Sequence, residues 1–355
     1  MMRDIRRRDV NLGLASLLTG LMPVAGRADA VEDFYKGKRI NLIVGYGTGG
    51  GFDVYARLVG RHIGKFIPGH PSVTVQNMPG AGSLVAVNHL YNVAPKDGLT
   101  IAHFGRNIAL LGALKNSRAK FETSKLTWLG SSSSFLNDAY ILIVRADSPI
   151  MSIKDVIGPN AKELILGGSA EGSTSNDVPV ILRDTIDLKF RLIAGYPDSA
   201  ALFIAVERGE VQGRMVDVSG VKTIKPDWLK PGGGYRVLLQ FGRETRHQEL
   251  ADVPTARELA TSDAARSLIE LTELPYKLSR PFAAPPGIPP ERALALQTAF
   301  SEAHRDPQFL QEAERLGIDI SPVTGAGVVQ AISLIDQASP QALDYLSKLF
   351  AGENK

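Results

Sequence analysis

The sequence predicts an α/β fold in two lobes, each a mostly parallel sheet flanked by helices, with a ligand cleft between the lobes. Three observations carry that expectation. From Arg39 onward short apolar runs alternate with amphipathic stretches, the pattern of parallel strands joined by covering helices. A strand, a Gly- or Ser-rich turn and a helix start follow one another near residue 45 and again near residue 169. The chain has 355 residues, 44% of them hydrophobic, which suits about two domains.

Read in order, residues 40–44 form a strand, 55–66 a helix, 73–76 a strand, 83–93 a helix and 100–104 a strand. Pro95-Lys96-Asp97-Gly98 has the composition of a turn. After a loop around 115–125, residues 127–131 and 139–144 read as strands and 152–157 as a short capped helix. The second unit has a strand at 164–167, a loop of small polar residues at 169–175 and a helix at 177–185. It continues with a strand at 190–193, a helix at 199–208 and a strand at 236–241. Gly232-Gly233-Gly234 reads as a flexible hairpin or linker. The last third reads as helical: 255–259, 263–271, 290–304 after a proline-rich crossing at 281–290, 307–316 and 325–338. Ligands of open α/β sheets sit at the carboxyl ends of the strands.

The first residues read as an export signal rather than as part of the fold. Arg6-Arg7-Arg8 precedes an apolar stretch at 12–24 and an Ala28-Asp29-Ala30 cleavage signal. The stretch is too short to span a bilayer, and both the general and the twin-arginine export routes stay open. Cleavage after Ala30 would remove five basic and three acidic residues and bring the formal charge from +3 to near neutral. The remaining lysines and arginines are scattered among acids, so no basic stripe points to nucleic acid. With no cysteine, disulfides, thiolate metal sites and cysteine nucleophiles are excluded.

Gly45-Tyr46-Gly47-Thr48-Gly49-Gly50-Gly51-Phe52-Asp53 leaves a strand and opens a helix. Such a turn aims unpaired N–H groups and the positive end of a helix dipole at one point, an anion site. The run also matches the dinucleotide fingerprint G-x-G-x-x-G, which asks for an acid about 20 residues on to bind the ribose. No acid follows Asp53 until Asp97, which disfavours an NAD(P)-dependent oxidoreductase. A second glycine turn, Asn77-Met78-Pro79-Gly80-Ala81-Gly82-Ser83, stands where that acid is required. Two adjacent parallel strands would bring both turns to one sheet edge, where their amides could hold one carboxylate. Asp53 reads mainly as a cap of its own helix.

Catalysis has little support. No G-x-S-x-G elbow occurs, and His62, His70, His89, His103, His247 and His304 lack metal-ligand spacing. No catalytic residue, metal or cofactor is expected. His103 reads as a structural histidine near the cleft.

The two glycine turns, with Pro95-Lys96-Asp97-Gly98-Leu99-Thr100 after them, resemble the Bug or TctC-like solute receptors of tripartite tricarboxylate transporters. The likeness continues in order through Gly195-Tyr196-Pro197-Asp198-Ser199-Ala200, Gly209-Glu210-Val211, Val253-Pro254-Thr255 and Ala284-Pro285-Pro286-Gly287-Ile288-Pro289. It implies a type II-like periplasmic binding protein, not an enzyme, that closes over a small organic carboxylate. It also implies membrane permease subunits as partners, a monomer and no nucleic acid. A receptor serving a sensor rather than a permease stays open.

Carried over by position, the resemblance points to Tyr46, Thr48, Gly49, Gly50, Gly51 and Asp53 in the first turn and Gly80, Ala81, Gly82 and Ser83 in the second. It adds Asn107 after the third strand, and Ser169, Ser173, Thr174 and Tyr196 from the other lobe. With crossings near 138–140 and 277–280, residues 1–30 are the signal, 31–138 with 279–355 one lobe, and 139–278 the other. The first turn departs from the family by lacking a proline before its glycines and by carrying Phe52 and Tyr55. Those rings either pack against helices or narrow the pocket. Ser131-Ser132-Ser133-Ser134 either offers hydroxyls to a carboxylate or forms a solvated loop.

Overall fold

A computed structural model describes residues 25–114, 117–169, 173–338 and 340–350. Most of the expected export signal, residues 1–24, lies outside the described residues, as does 170–172 of the polar loop.

The first sheet takes β1 (Arg39–Val44), β2 (Ser72–Asn77), β3 (Thr100–His103) and β4 (Thr127–Ser131). The second consists of β5 (Tyr140–Arg145), β6 (Leu164–Gly167), β7 (Phe190–Ile193), β8 (Gly213–Asp217) and β9 (Tyr235–Phe241). The chain then returns to the first sheet with β10 (Pro281–Ala284) and β11 (Val323–Thr324). Strand order is β11-β4-β10-β3-β1-β2 in one sheet and β7-β6-β8-β5-β9 in the other. β1 to β4 run one way against β10 and β11, and β6 to β9 run one way against β5.

The helices of the first half are α1 (Ala25–Tyr35), α2 (Gly51–His62), α3 (Leu84–Asn92) and α4 (Ile108–Ala113). The second sheet carries α5 (Thr174–Ile186), α6 (Ser199–Glu207), α7 (Val218–Ile224) and α8 (Asp263–Glu273). After β10 come α9 (Pro290–Ala303), α10 (Pro307–Leu316), α11 (Gly325–Asp336) and α12 (Pro340–Phe350). No helix among the described residues is long and apolar enough to cross a membrane.

Each sheet is buried on both faces, as strands covered by helices require. On β1, Ile40, Leu42 and Val44 pack with Leu58 and Val59 of α2 and Leu296 and Phe300 of α9. Ile43 points the other way, toward Leu84 and Val87 of α3, as the two-residue period of a strand dictates. β5 divides in the same manner, Leu142 and Val144 to one cluster and Ile141 and Ile143 to the other.

The strands at 127–131, 164–167 and 190–193 fall where the sequence places them, and the α/β two-sheet architecture stands. Several features differ: α7 and α12 fall where no element is expected, and three further differences have a clear cause. β8 was not anticipated, because Gly213 and Arg214 interrupt its apolar run, yet it lies between β6 and β5. The proline-rich crossing begins with β10, inserted between β3 and β4; Pro281 opens that strand, where a missing N–H costs little. α4 shows no amphipathic period because its Ile108, Ala109, Leu110 and Leu111 are all buried.

Two chain crossings join the halves, after β4 and before β10. They run side by side: Ser132 N donates to Arg280 O at 2.9 Å, Ser279 N to Ser133 O at 3.0 Å, and Arg280 N to Ser131 Oγ at 3.0 Å. Ser133 Oγ donates to Asp319 at 2.5 Å and Ser134 N to Ser321 Oγ at 2.9 Å. Neither reading of the four serines stands, since their polar atoms tie the two crossings and the 319–321 segment together.

Candidate functional site

The first glycine turn projects from the carboxyl end of β1. Asp53, in the first turn of α2, accepts from Gly49 N at 2.9 Å, Arg57 Nε at 2.8 Å and Asn77 Nδ2 at 2.9 Å. Burial raises the pKa of its carboxyl, but these donors outweigh burial and lower it. Asp53 therefore fixes the loop. Thr48 and Gly49 sit exposed at the apex, while Gly50 and Gly51 turn inward. Tyr46 stacks on Phe52 with ring centroids 4.4 Å apart. Tyr55 is buried, and its hydroxyl donates to Asp319 O at 2.7 Å.

The second turn has an unusual backbone. Gly80, Ala81, Gly82 and Ser83 have φ of 143°, 46°, 60° and 80° in succession. Ala81 and Ser83 hold left-handed conformations that side chains disfavour, a strain that persists only where the surroundings enforce it. Ser83 supplies part of that enforcement, donating from Oγ to Gly45 O at 3.1 Å and accepting from Gly105 N at 3.0 Å. Its buried hydroxyl thus joins three strand-end turns.

Across the cleft stand the loops of the second sheet. Ser169 Oγ lies 2.7 Å from Ser173 Oγ and 2.9 Å from Ser175 Oγ, a hydroxyl triangle at the start of α5. Asp198 caps α6, accepting from Ala201 N at 2.9 Å. It also packs on the opposite lobe, for a Cβ added to Gly47 would lie 2.7 Å from Asp198 Oδ2.

Asp198, Ser169, Tyr46 and Gly47 form the wall shared by two chambers. The outer chamber, about 390 Å³, is lined by Gly45, Gly80, Ala81, Gly82 and Tyr196. The inner chamber, about 70 Å³, is lined by Gly50, Gly51 and Phe52 on one side and by Ser173, Thr174 and Ser175 on the other. The two glycine turns meet only in the outer chamber, through residues 45–47; Gly50 and Gly51 at the start of α2 serve the inner one. Among the sequence-selected residues, Thr48, Gly49, Asp53, Ser83 and Asn107 line neither chamber. Asn107 instead donates to Asp177 of α5 at 3.1 Å, an interlobe contact.

Charged groups that the sequence did not single out surround the inner chamber. Asp217, at the end of β8, accepts from Arg106 at 2.5 Å and from Arg280 at 2.8 Å. Both guanidiniums are buried, with 2% and 0% of their residues exposed. Burial raises the Asp217 pKa, but the two cations outweigh it and hold the carboxyl well below the usual carboxylate range. Arg106 also faces the rings of Tyr276 at 4.5 Å and Phe135 at 4.8 Å. Arg214 of β8 lines the chamber and donates to Ser199 O at 2.8 Å and Ser199 Oγ at 2.9 Å. Arg106 stands one residue before Asn107, so the strand-end position pointed to the right segment. Arg214 and Asp217 were hidden with β8 itself.

Two α/β lobes, joined by paired crossings and enclosing a polar cleft at their strand ends, define the fold of a two-lobed solute-binding protein. The particular family follows from comparison with known proteins. Residues 57–338 match the tripartite tricarboxylate transporter family receptor, TctC, and the chain belongs to that family. The matched span opens just past the first glycine turn, where the sequence departs from the family pattern. A Cupriavidus necator protein, described as a UPF0065 protein in the gbd 5′ region, is 25% identical over 317 residues, covering 86% of this chain and 87% of its own. Among solved structures, the periplasmic binding protein BugD superposes with a TM-score of 0.67 at 16% identity, covering 90% of this chain and 99% of its own. MatC from Rhodopseudomonas palustris with bound malate gives 0.64 at 16% identity, covering 88% and 99%. An R. palustris protein with adipate gives 0.67 at 19% identity, covering 88% and 97%.

Proposed function

We propose that the chain is a periplasmic receptor that captures a small organic carboxylate between its lobes and delivers it to the permease of a tripartite tricarboxylate-type transporter. Residues 31–138 with 279–355 form one lobe and 139–278 the other. The observation that carries the reading is the cleft itself. Glycine turns from one lobe face hydroxyl-bearing loops from the other across two half-open chambers. Such turns present backbone N–H groups without side chains in the way, which suits a carboxylate oxygen. Family membership and the malate and adipate of its structural neighbours support the ligand class. On this reading Tyr46, Gly50, Gly51 and Thr174 meet the ligand in the inner chamber, and Gly80, Ala81, Gly82 and Tyr196 in the outer. Ser169 and Ser173 orient the hydroxyl triangle, while Thr48, Gly49, Asp53, Ser83 and Asn107 hold the loops in place. The receptor binds without chemistry, acts as a monomer and signals its loaded state by lobe closure.

The test is a thermal-shift screen of the chain lacking residues 1–30 against butyrate, succinate, malate, adipate, citrate, benzoate and NAD(P). An acid present at 100 times its dissociation constant stabilises by about 2.7 kcal/mol. A shift with NAD(P) and none with any acid would overturn the proposal.

A further inference from the structure

The inner chamber is bounded by two buried arginines, one from each lobe, and neither has all the partners a buried cation requires. Arg106 is 2% exposed, yet its Nε and Nη1 have no hydrogen-bond partner. Its one acid, Asp217, is shared with Arg280. Arg214 is 3% exposed, and among the described residues no carboxylate oxygen lies within 4.0 Å of its guanidinium. Its protein partners are the main chain of Met215, the main chain and hydroxyl of Ser199, and the ring of Phe203. A guanidinium has five N–H donors, so Arg214 retains some beyond those three bonds.

The charged residues lining the chamber, Arg106 and Arg214 against Asp198 and Asp217, balance in formal count, but Asp217 is shared with Arg280 and Arg214 has no carboxylate of its own. Buried charges are tolerated when paired. Gly50 and Gly51, at the start of α2, line the chamber, so the positive end of that helix adds to the potential there. The outer chamber differs, for its lining includes Asp198 and no cation.

We propose that the acid head of the ligand enters the inner chamber and is read there by Arg106 and Arg214 together, rather than being held only by the paired glycine turns. The outer chamber then receives the remainder of the molecule. The ligand class is a short aliphatic acid whose head fits about 70 Å³. Arg214 is the residue that sets the requirement for charge, because Arg106 is partly engaged by Asp217. This inference rests on the carboxylate-receptor reading and deepens it.

The test uses the chain lacking residues 1–30, the acid giving the largest thermal shift among butyrate, succinate, malate and adipate, and the variants Arg214→Met and Arg214→Lys. Charged hydrogen bonds of this kind are strong. Titration calorimetry should therefore show Arg214→Met weakened at least ten-fold, with Arg214→Lys between it and the wild type. Affinity of Arg214→Met within two-fold of wild type overturns the inference. Should that variant not fold, a wild-type crystal soaked in the same acid decides. A carboxylate within hydrogen-bonding distance of the Arg214 and Arg106 guanidiniums supports the assignment. A carboxylate seated at Gly80 to Gly82 with none at the two guanidiniums overturns it and leaves the receptor reading intact. If none of the acids binds the wild-type protein, the receptor reading fails and this inference falls with it.

Discussion

Gly47→Ala separates lobe closure from folding. Gly47 does not occupy the left-handed region, so alanine meets no backbone penalty there. Its methyl group would lie 2.7 Å from Oδ2 and 3.1 Å from Cβ of Asp198, on the opposite lobe. On the proposed lobe closure, that overlap exists only while the cleft is shut. Asp198 has little freedom to withdraw, because its Oδ1 accepts from Ala201 N at 2.9 Å and caps α6. Losing such a cap costs about 1 kcal/mol, and forcing an extra methyl into a packed site costs about 1–3 kcal/mol. The closed state should therefore be disfavoured by about 1–2 kcal/mol, a loss of roughly five- to thirty-fold in ligand affinity. Unfolding of the unliganded lobes should hardly change. Calorimetric titration with the strongest acid of the screen measures the loss. The same substitution in an Asp198→Ala background should cost distinctly less, since the 2.7 Å contact with the carboxylate is gone and only the 3.1 Å contact with Cβ remains. Wild-type affinity in Gly47→Ala, or an equal loss in both backgrounds, would refute the reasoning.

Two further outcomes follow from the interior. His103 and His304 are buried, and burial lowers their pKa values from 6.5 to about 3 and about 4. The unfolded chain takes up protons there first, so their contribution is complete above pH 6.5 and declines as pH falls toward 4. Linkage gives a loss of about 2 kcal/mol for each by pH 5. Burial raises the carboxyls of Asp138 and Glu273 to about 7, which acts with the opposite sign over this range, so the difference is what tests the assignment. Between pH 7.5 and pH 5 urea unfolding should show the wild type losing about 2 kcal/mol more than His304→Gln, and an equal change in both contradicts it. Ser83→Ala strips partners from Gly45 O and Gly105 N, which should destabilise by about 1–3 kcal/mol. Urea midpoints test this, and an unchanged midpoint means the hydroxyl does not hold the turns together.

What could be read from the sequence was whatever depends on local pattern. The strands at 127–131, 164–167 and 190–193 stand out because each is a short apolar or β-branched run bounded by turn residues. The glycine turns are legible because positive φ, held at Gly49, Gly80 and Gly82, favours residues without a Cβ. Asp53 reads from the sequence mainly as a cap of its own helix, but its carboxylate accepts from Gly49 N, Arg57 and Asn77 and so holds the turn rather than a helix N–H.

The arrangement of charge was decided only by the tertiary structure. Arg106, Arg280 and Asp217 are far apart in sequence, and nothing around any one of them announces the other two. The same holds for Asp198 against Gly47, a contact between lobes that no periodicity encodes. Ser83, Asn107 and the 131–134 serines have the chemistry of ligand-binding groups, but long-range packing assigned their hydrogen bonds to the protein itself. Sequence thus specified the two-lobed frame and the family, because backbone geometry follows from neighbouring residues. The frame then determined which side chains face the cleft, because burial and electrostatics depend on what the fold brings within a few ångströms.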